Sequence, residues 1–76
     1  MSGKLPRVTA SDVIKVLGKI GFSLTRKSGS HKIYKNKSGK RTTVPYHSGR
    51  ILHSKTLKSI LSDSDLTIDK FKELLG

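Results

Sequence analysis

The stretch Phe22–Val44, FSLTRKSGSHKIYKNKSGKRTTV, decides the fold, because two glycine-containing turns divide it into three short segments. Apolar and polar residues alternate in these segments, and the turns at 28–30 and 36–39 have lengths typical of hairpin loops. The pattern predicts antiparallel strands over 22–27, 31–35 and 40–44, the last ended by Pro45 because proline cannot donate to a ladder.

The alternation also predicts which side chains share a face of each strand. In the first strand we expect Phe22 and Leu24 to lie on one side. In the second, Ile33 is expected on one face and Lys32 and Tyr34 on the other. In the third, Thr42 and Val44 are expected to face the core.

A helix is predicted before the strands, over residues 11–20. Its apolar positions follow the 3.6-residue period at Val13, Ile14, Leu17 and Ile20. We expect Ser11 to be its N-cap, Asp12 to lie in its first turn, and Gly21 to stop it, since glycine tolerates the left-handed conformation found there.

Two more helices are predicted after the strands. The first begins with Ser54 as its cap, carries an apolar face at Leu57, Ile60 and Leu61, and is broken at 63–65. The second is short and is capped by Thr67. The resulting order is α-β-β-β-α-α, an α+β domain with helices on one face of a three-stranded antiparallel sheet.

The length predicts one domain over residues 1–76. We divide it into an extended arm at 1–10, an α-β-β-β-α core at 11–62 and a C-terminal helix within 63–76. This order of elements, at this size and charge, resembles the layout of the double-stranded-RNA-binding domain.

The charge distribution points to a polyanionic partner. The chain has 16 Lys and Arg against 5 Asp and Glu, and residues 13–62 contain 12 of the cations and no acid. Internal salt bridges cannot explain such a stretch, so nucleic acid is the first candidate ligand. There is no cysteine and no apolar run long enough to cross a bilayer, and the first residues do not form a signal peptide; we therefore expect a cytoplasmic protein.

Several different short motifs follow one another along nearly the whole chain. They lie at 4–6, 21–22, 26, 29–34, 44–49, 56–61 and 66–71. This ordered set resembles the HicA family of toxin ribonucleases, although Lys55 stands where that family often has glycine. The resemblance implies an endoribonuclease toxin of a type II toxin–antitoxin pair that cuts mRNA, needs no cofactor and is silenced by a HicB antitoxin. It also implies that His31 is the catalytic residue.

The residues around His31 fit that chemistry. RNA is cleaved when its own 2′-hydroxyl attacks the adjacent phosphate, and one histidine can move the proton because its pKa lies near neutral pH. Cations hold the phosphate and offset the added charge, for which Lys32, Arg26 and Lys35 are the first candidates. The alternative is that His31 is a structural or merely exposed residue at the start of a strand.

The predicted RNA-binding set consists of the cations of the strands and their turns together with a few polar residues. Its members are Arg26, Lys27, Ser30, Lys32, Tyr34, Lys35, Lys37, Lys40, Arg41 and His47. The lysines and arginines should contact phosphates without reading sequence. Tyr34 either stacks on a base or packs across strands. His47 is either a second proton carrier or a phosphate contact, or it caps backbone in its loop.

No metal site is predicted, because the three histidines lack a ligand spacing and have no carboxylate nearby. His53 is interpreted as a cap or a surface residue. Two other functions stay open: a non-catalytic RNA-binding module in which His31 only contacts RNA, and an adaptor whose basic surface binds an acidic protein.

Overall fold

A computed structural model describes residues 5–76. Its elements are α1 (Ala10–Lys19), β1 (Ser23–Ser28), β2 (His31–Lys35), β3 (Arg41–Pro45), α2 (Ser54–Asp63) and α3 (Ile68–Leu75). The predicted α+β class and the order α-β-β-β-α-α are therefore confirmed. The strand predicted over 31–35 has the predicted bounds. The helix predicted over 11–20 and the strands predicted over 22–27 and 40–44 are each displaced by one residue.

The three strands form one antiparallel sheet in the order β1-β2-β3. The register places His31 opposite Ser28 on one side and opposite Pro45 on the other. Tyr34 lies opposite Thr42, and Lys32 lies opposite Val44. Residues directly opposite each other share a face, so the register defines which side chains meet.

The helices cover one face of this sheet and enclose the core. Both α1 and α2 pack against β3, and α3 packs against α1. The most deeply buried large side chains are Leu17 from α1, Leu57 and Ile60 from α2, Phe71 from α3 and Val44 from β3. Thr42 is buried beside Val44, as the alternation predicted.

Tyr34 belongs to the core, and this decides the orientation of the whole sheet. Its side chain is only 7% exposed, whereas Ile33 is partly exposed. Because Tyr34 pairs with the buried Thr42, the face that contains Lys32 and Tyr34 is the one beneath the helices. His31 and Ile33 therefore lie on the opposite face, which we call the open face.

Leu24 lies opposite Tyr34, on the side of the sheet that the helices cover, yet Phe22 and Leu24 differ in burial. Phe22 is buried, but Leu24 is 50% exposed. All six residues of β1 are exposed, since the helices pack over β3 at the other edge of the sheet. A β-bulge between Leu24 and Arg26 leaves Thr25 without a paired residue and changes the alternation after it.

The N-cap of α1 is Thr9 and not Ser11. The Thr9 hydroxyl accepts a hydrogen bond from the Asp12 backbone N–H, and the Asp12 carboxylate accepts one from the Thr9 N–H. This reciprocal capping box satisfies two backbone donors, whereas Ser11 lies inside the helix. Asp12 does lie in the first turn, as predicted.

The N-cap of α2 is one residue earlier than the predicted Ser54, and the interpretation of His53 as a cap is confirmed. His53, not Ser54, caps the helix, because its ring Nδ1 accepts a hydrogen bond from the Lys55 N–H at 3.2 Å. The cap predicted for α3 is confirmed: the Thr67 hydroxyl accepts from the Lys70 N–H at 3.1 Å. Gly21 follows α1 with φ +94°, the left-handed conformation that was expected at the stop.

We expect Thr9→Ala to lower the free energy of unfolding by about 1 kcal/mol, because it removes the hydroxyl half of the capping box. Ser11→Ala is the matched control and should change stability by less than about 0.5 kcal/mol, since alanine suits a helix interior. Urea unfolding followed by circular dichroism measures both. Equal losses in the two variants would contradict the assignment of Thr9 as the cap.

The described part of the predicted arm pairs with the segment before α2. Val8 is buried, its carbonyl accepts a hydrogen bond from the Leu52 N–H at 2.8 Å, and Thr9 forms a bridge with Ile51. Residues 1–4 of the predicted arm lie outside the described residues. Among residues 5–76, no helix has the length and apolar character needed to cross a membrane.

Candidate nucleic-acid interface

His31 is the first residue of β2 and is exposed on the open face of the sheet. It follows the two-residue connection Gly29–Ser30, in which Gly29 has φ +58° and so adopts a conformation that other residues rarely take. The hairpin thus presents the histidine at the end of the sheet. No helix of residues 5–76 lies over this face, so a long polymer can approach the ring.

Three of the predicted cations share the open face with His31. Arg26 lies opposite Ile33, so it shares the face of Ile33 and His31. Lys35 is two residues after Ile33 in the same strand and lies opposite Arg41, so both of these cations are also on the open face. Without a bulge, Arg26 would lie on the same face as Leu24, two residues before it. The bulge at Thr25 shifts the register, so Arg26 pairs with Ile33 and lies on the open face. Lys35 and Arg41 lie about 13 Å along the strand from His31.

Lys32 and Lys27 face the other way. They pair with each other, and Lys32 lies opposite Val44, on the side of the sheet that the helices cover. The Lys32 ammonium lies 3.9 Å from the centre of the Tyr46 ring, a cation–π contact. Sequence neighbours in a strand point to opposite faces, so adjacency to His31 did not place Lys32 beside its ring.

Tyr46 connects this edge of the sheet to α1. Its hydroxyl lies 3.5 Å from the Ser11 Oγ. Hydrogen bonds with Ser11 and Ser48, assisted by the charge of Lys32, lower the pKa of Tyr46. With Lys32 across its ring, Tyr46 already has an intramolecular partner on that side.

The two remaining predicted cations, Lys37 and Lys40, lie between β2 and β3, at the end of the sheet opposite His31. Lys37 is exposed in the turn between β2 and β3. The Lys40 ammonium pairs with the Asp65 carboxylate, which ties this turn to the segment after α2. Thr42 donates to the neighbouring Asp63 carboxylate at 3.1 Å. Lys40 therefore has a structural partner that its sequence position did not reveal.

The two interpretations of Tyr34 are separated by its burial. Packing in the core raises the pKa of its hydroxyl by desolvation and leaves little of the ring accessible to a base. The cross-strand partner is Thr42, not another aromatic residue. Packing is thus the role that the structure favours for Tyr34.

His47 lies in the loop that follows β3, close to the turn that precedes His31. The Tyr46 N–H donates to the Ser30 carbonyl at 2.6 Å, which holds this loop against the Gly29–Ser30 connection. Beyond it is a groove of about 260 Å³ whose lining includes Pro45, His47, Arg50, Ile51, His53 and Thr56. Arg50 was not among the predicted site residues; the signal was the close spacing of His47, Arg50 and His53.

None of the five acidic residues belongs to a strand of the sheet or to the lining of the groove. Asp12 belongs to the cap of α1, and the others belong to α3 or to the end of α2 and the segment after it. Among the described residues, no group of three or more histidines and carboxylates is arranged to hold a metal ion. The open face and the groove thus carry cations and histidines without counter-charge.

A three-stranded antiparallel sheet backed by helices, with a histidine and cations on its open face, defines a small basic α+β protein of the order α-β-β-β-α-α. Residues 10–66 match the family described as HicA toxin of bacterial toxin–antitoxin. The match spans well over half of the chain, and the protein belongs to the HicA toxin family. A search of curated proteins found no match.

Proposed function

We propose that this toxin is a metal-independent endoribonuclease that cleaves mRNA in the cytoplasm, with His31 as the general acid/base. The observation that carries the proposal is the position of His31, exposed at the end of an acid-free sheet face that also bears Arg26, Lys35 and Arg41. Membership of the HicA family supports a toxin of a toxin–antitoxin system and is consistent with this activity.

The reaction requires one proton to leave and one to be returned. The RNA 2′-hydroxyl attacks the adjacent phosphorus, the bond from phosphorus to the 5′-oxygen breaks, and a 2′,3′-cyclic phosphate and a 5′-hydroxyl result. His31 carries the proton that the 2′-hydroxyl loses or that the 5′-oxygen gains. No atom outside the RNA and water is consumed.

Binding is attributed to the cations of the open face. Arg26 is the nearest of them in register to His31, and Lys35 and Arg41 extend the positive surface along the sheet. The phosphate backbone of an RNA chain can follow this surface without sequence-specific contacts, so affinity should fall steeply with salt. Backbone N–H groups of the Gly29–Ser30 turn could serve as further donors to a phosphate.

The partner proposed for silencing is a HicB-type antitoxin. Because the open face has no acid of its own, an acidic surface on the antitoxin would complement it and exclude RNA at the same time. RNA and the antitoxin would thus compete for the same positively charged face of the toxin.

The test is cleavage of an end-labelled mRNA by the purified protein in excess EDTA, with an identically prepared His31→Ala protein alongside. We expect cleavage by the wild type only, leaving 2′,3′-cyclic phosphate or 3′-phosphate ends. Products with 3′-hydroxyl ends, or activity that requires added Mg²⁺, would refute the proposal. Binding without cleavage by either protein would establish the RNA-binding module instead.

A further inference from the structure

The groove after β3 is the second basic feature beside His31. It lies between the loop that follows β3 and the first turn of α2, and its volume is about 260 Å³. Pro45 lines it and is also the residue opposite His31 in the sheet. The groove therefore begins one strand away from His31, so a chain that crosses the open face at His31 can continue into it.

The polar groups of the groove are hydrogen-bond donors. Arg50 supplies a guanidinium, and Thr56 a hydroxyl. The Nδ1 of His53 accepts from the Lys55 N–H, so neutral His53 must carry its proton on Nε2. The helix cap thus fixes the tautomer and makes the outer nitrogen of this ring a donor.

The groove also has an apolar contact surface. Ile51 is 48% exposed, one of two large apolar side chains in the described residues that are this accessible, and it lines the groove together with Pro45. No acidic residue is part of the groove lining. Donors, a fixed positive charge and an apolar surface together match a nucleotide, which combines an anionic phosphate with a sugar and a base.

We propose that this groove binds the nucleotide that adjoins the linkage attacked at His31. Arg50 and His53 Nε2 donate to its phosphate, Thr56 supplies a third donor, and Ile51 contacts its sugar or base. The inference rests on the proposed ribonuclease function and deepens it, because it assigns the surface on which the substrate continues beyond the catalytic residue. It adds Arg50, His53, Thr56 and Ile51 to the RNA-contacting surface.

The first experiment measures RNA affinity without cleavage. A fluorescent oligoribonucleotide with 2′-O-methyl groups throughout is titrated with wild type, Arg50→Gln and Lys72→Gln, the last being a loss of one exposed charge on α3. We expect Arg50→Gln to raise Kd about tenfold and Lys72→Gln less than about twofold. The plot of log K against log salt should become shallower by about 0.7 for Arg50→Gln, the value for one lost phosphate contact on a single strand.

A second pair of variants separates RNA binding from folding. Asparagine and aspartate are both good N-caps, so His53→Asn and His53→Asp each keep the acceptor that begins α2 while removing the Nε2 donor. We expect both proteins to be at least as stable as wild type, the aspartate variant more so because an anion suits a helix N-terminus. RNA affinity should fall in both, and further in His53→Asp, which places a negative charge in the groove.

Failure of this inference is distinguishable from failure of the nuclease proposal. If the wild type cleaves RNA but the Arg50 and His53 variants bind it like Lys72→Gln, the groove is not a nucleotide site. If no cleavage is ever found, nuclear magnetic resonance still decides: uridine 3′-monophosphate should shift the His53 ring and Thr56 amide signals of wild type, and not those of Arg50→Gln. Shifts caused by an acidic peptide but not by the nucleotide would overturn the inference in favour of a protein ligand.

Discussion

Replacing His31 with alanine should reduce the rate of RNA cleavage by at least about 100-fold, the contribution typical of a positioned general acid or base. RNA affinity should change by less than about threefold, because the cations of the open face remain. His31 is exposed at the first position of β2, so its truncation removes no core contact. Single-turnover cleavage and fluorescence anisotropy measure the two quantities on the same RNA.

The matched control is Thr43→Ala, a truncation on the same open face that removes no proton carrier. It should cleave at a rate within about twofold of wild type. In cells, expression of the wild type without an antitoxin should arrest growth, and His31→Ala should relieve the arrest. Equal cleavage by wild type and His31→Ala would exclude His31 as the catalyst and make His47 the next residue to replace.

Replacing Phe71 with alanine should lower the free energy of unfolding by about 3–5 kcal/mol, the usual effect of removing a buried phenyl group. Phe71 is fully buried, although it belongs to α3, which lies beyond the segment that matches the HicA family. A chain of 76 residues has a small core and little stability to spare, so such a loss is a large fraction of the total. The ring therefore makes α3 a structural part of the toxin fold.

Urea unfolding followed by circular dichroism measures this loss, with Lys72→Ala as the control from the same helix. Lys72 is exposed, so its truncation should change stability by less than about 0.5 kcal/mol. A change of less than about 1 kcal/mol for Phe71→Ala would show that α3 is dispensable for the core. In that case a chain ended after residue 66 should also fold.

Much of the architecture followed from local patterns. The two turns around Gly29 and Gly39 predicted the meander, and Gly21 predicted the end of α1, because glycine is favoured where φ is positive. Alternation put Thr42 and Val44 on one face of the third strand, and their expected place in the core is confirmed. The suggestion of a HicA toxin rested on motifs in order along the chain, and the family match confirmed it.

The candidate site was predictable only in part. His31 and its cations could be chosen from composition and resemblance, but their distribution over two faces could not. The bulge at Thr25 gives Arg26 the facing of His31, while strand alternation takes Lys32 away from it. A bulge has no reliable local signature, since it arises where one strand adjusts to its neighbour.

Local spacing was thus sufficient for the helices, the strands, the turns and the segregation of charge, because these depend on residues close together in the chain. Tertiary structure alone decided that Tyr34 is buried and Leu24 exposed, that Lys40 pairs with Asp65, and that His47, Arg50 and His53 line one groove beside Pro45. Periodicity tells which residues share a face, but only the packing of distant elements determines which face the helices cover.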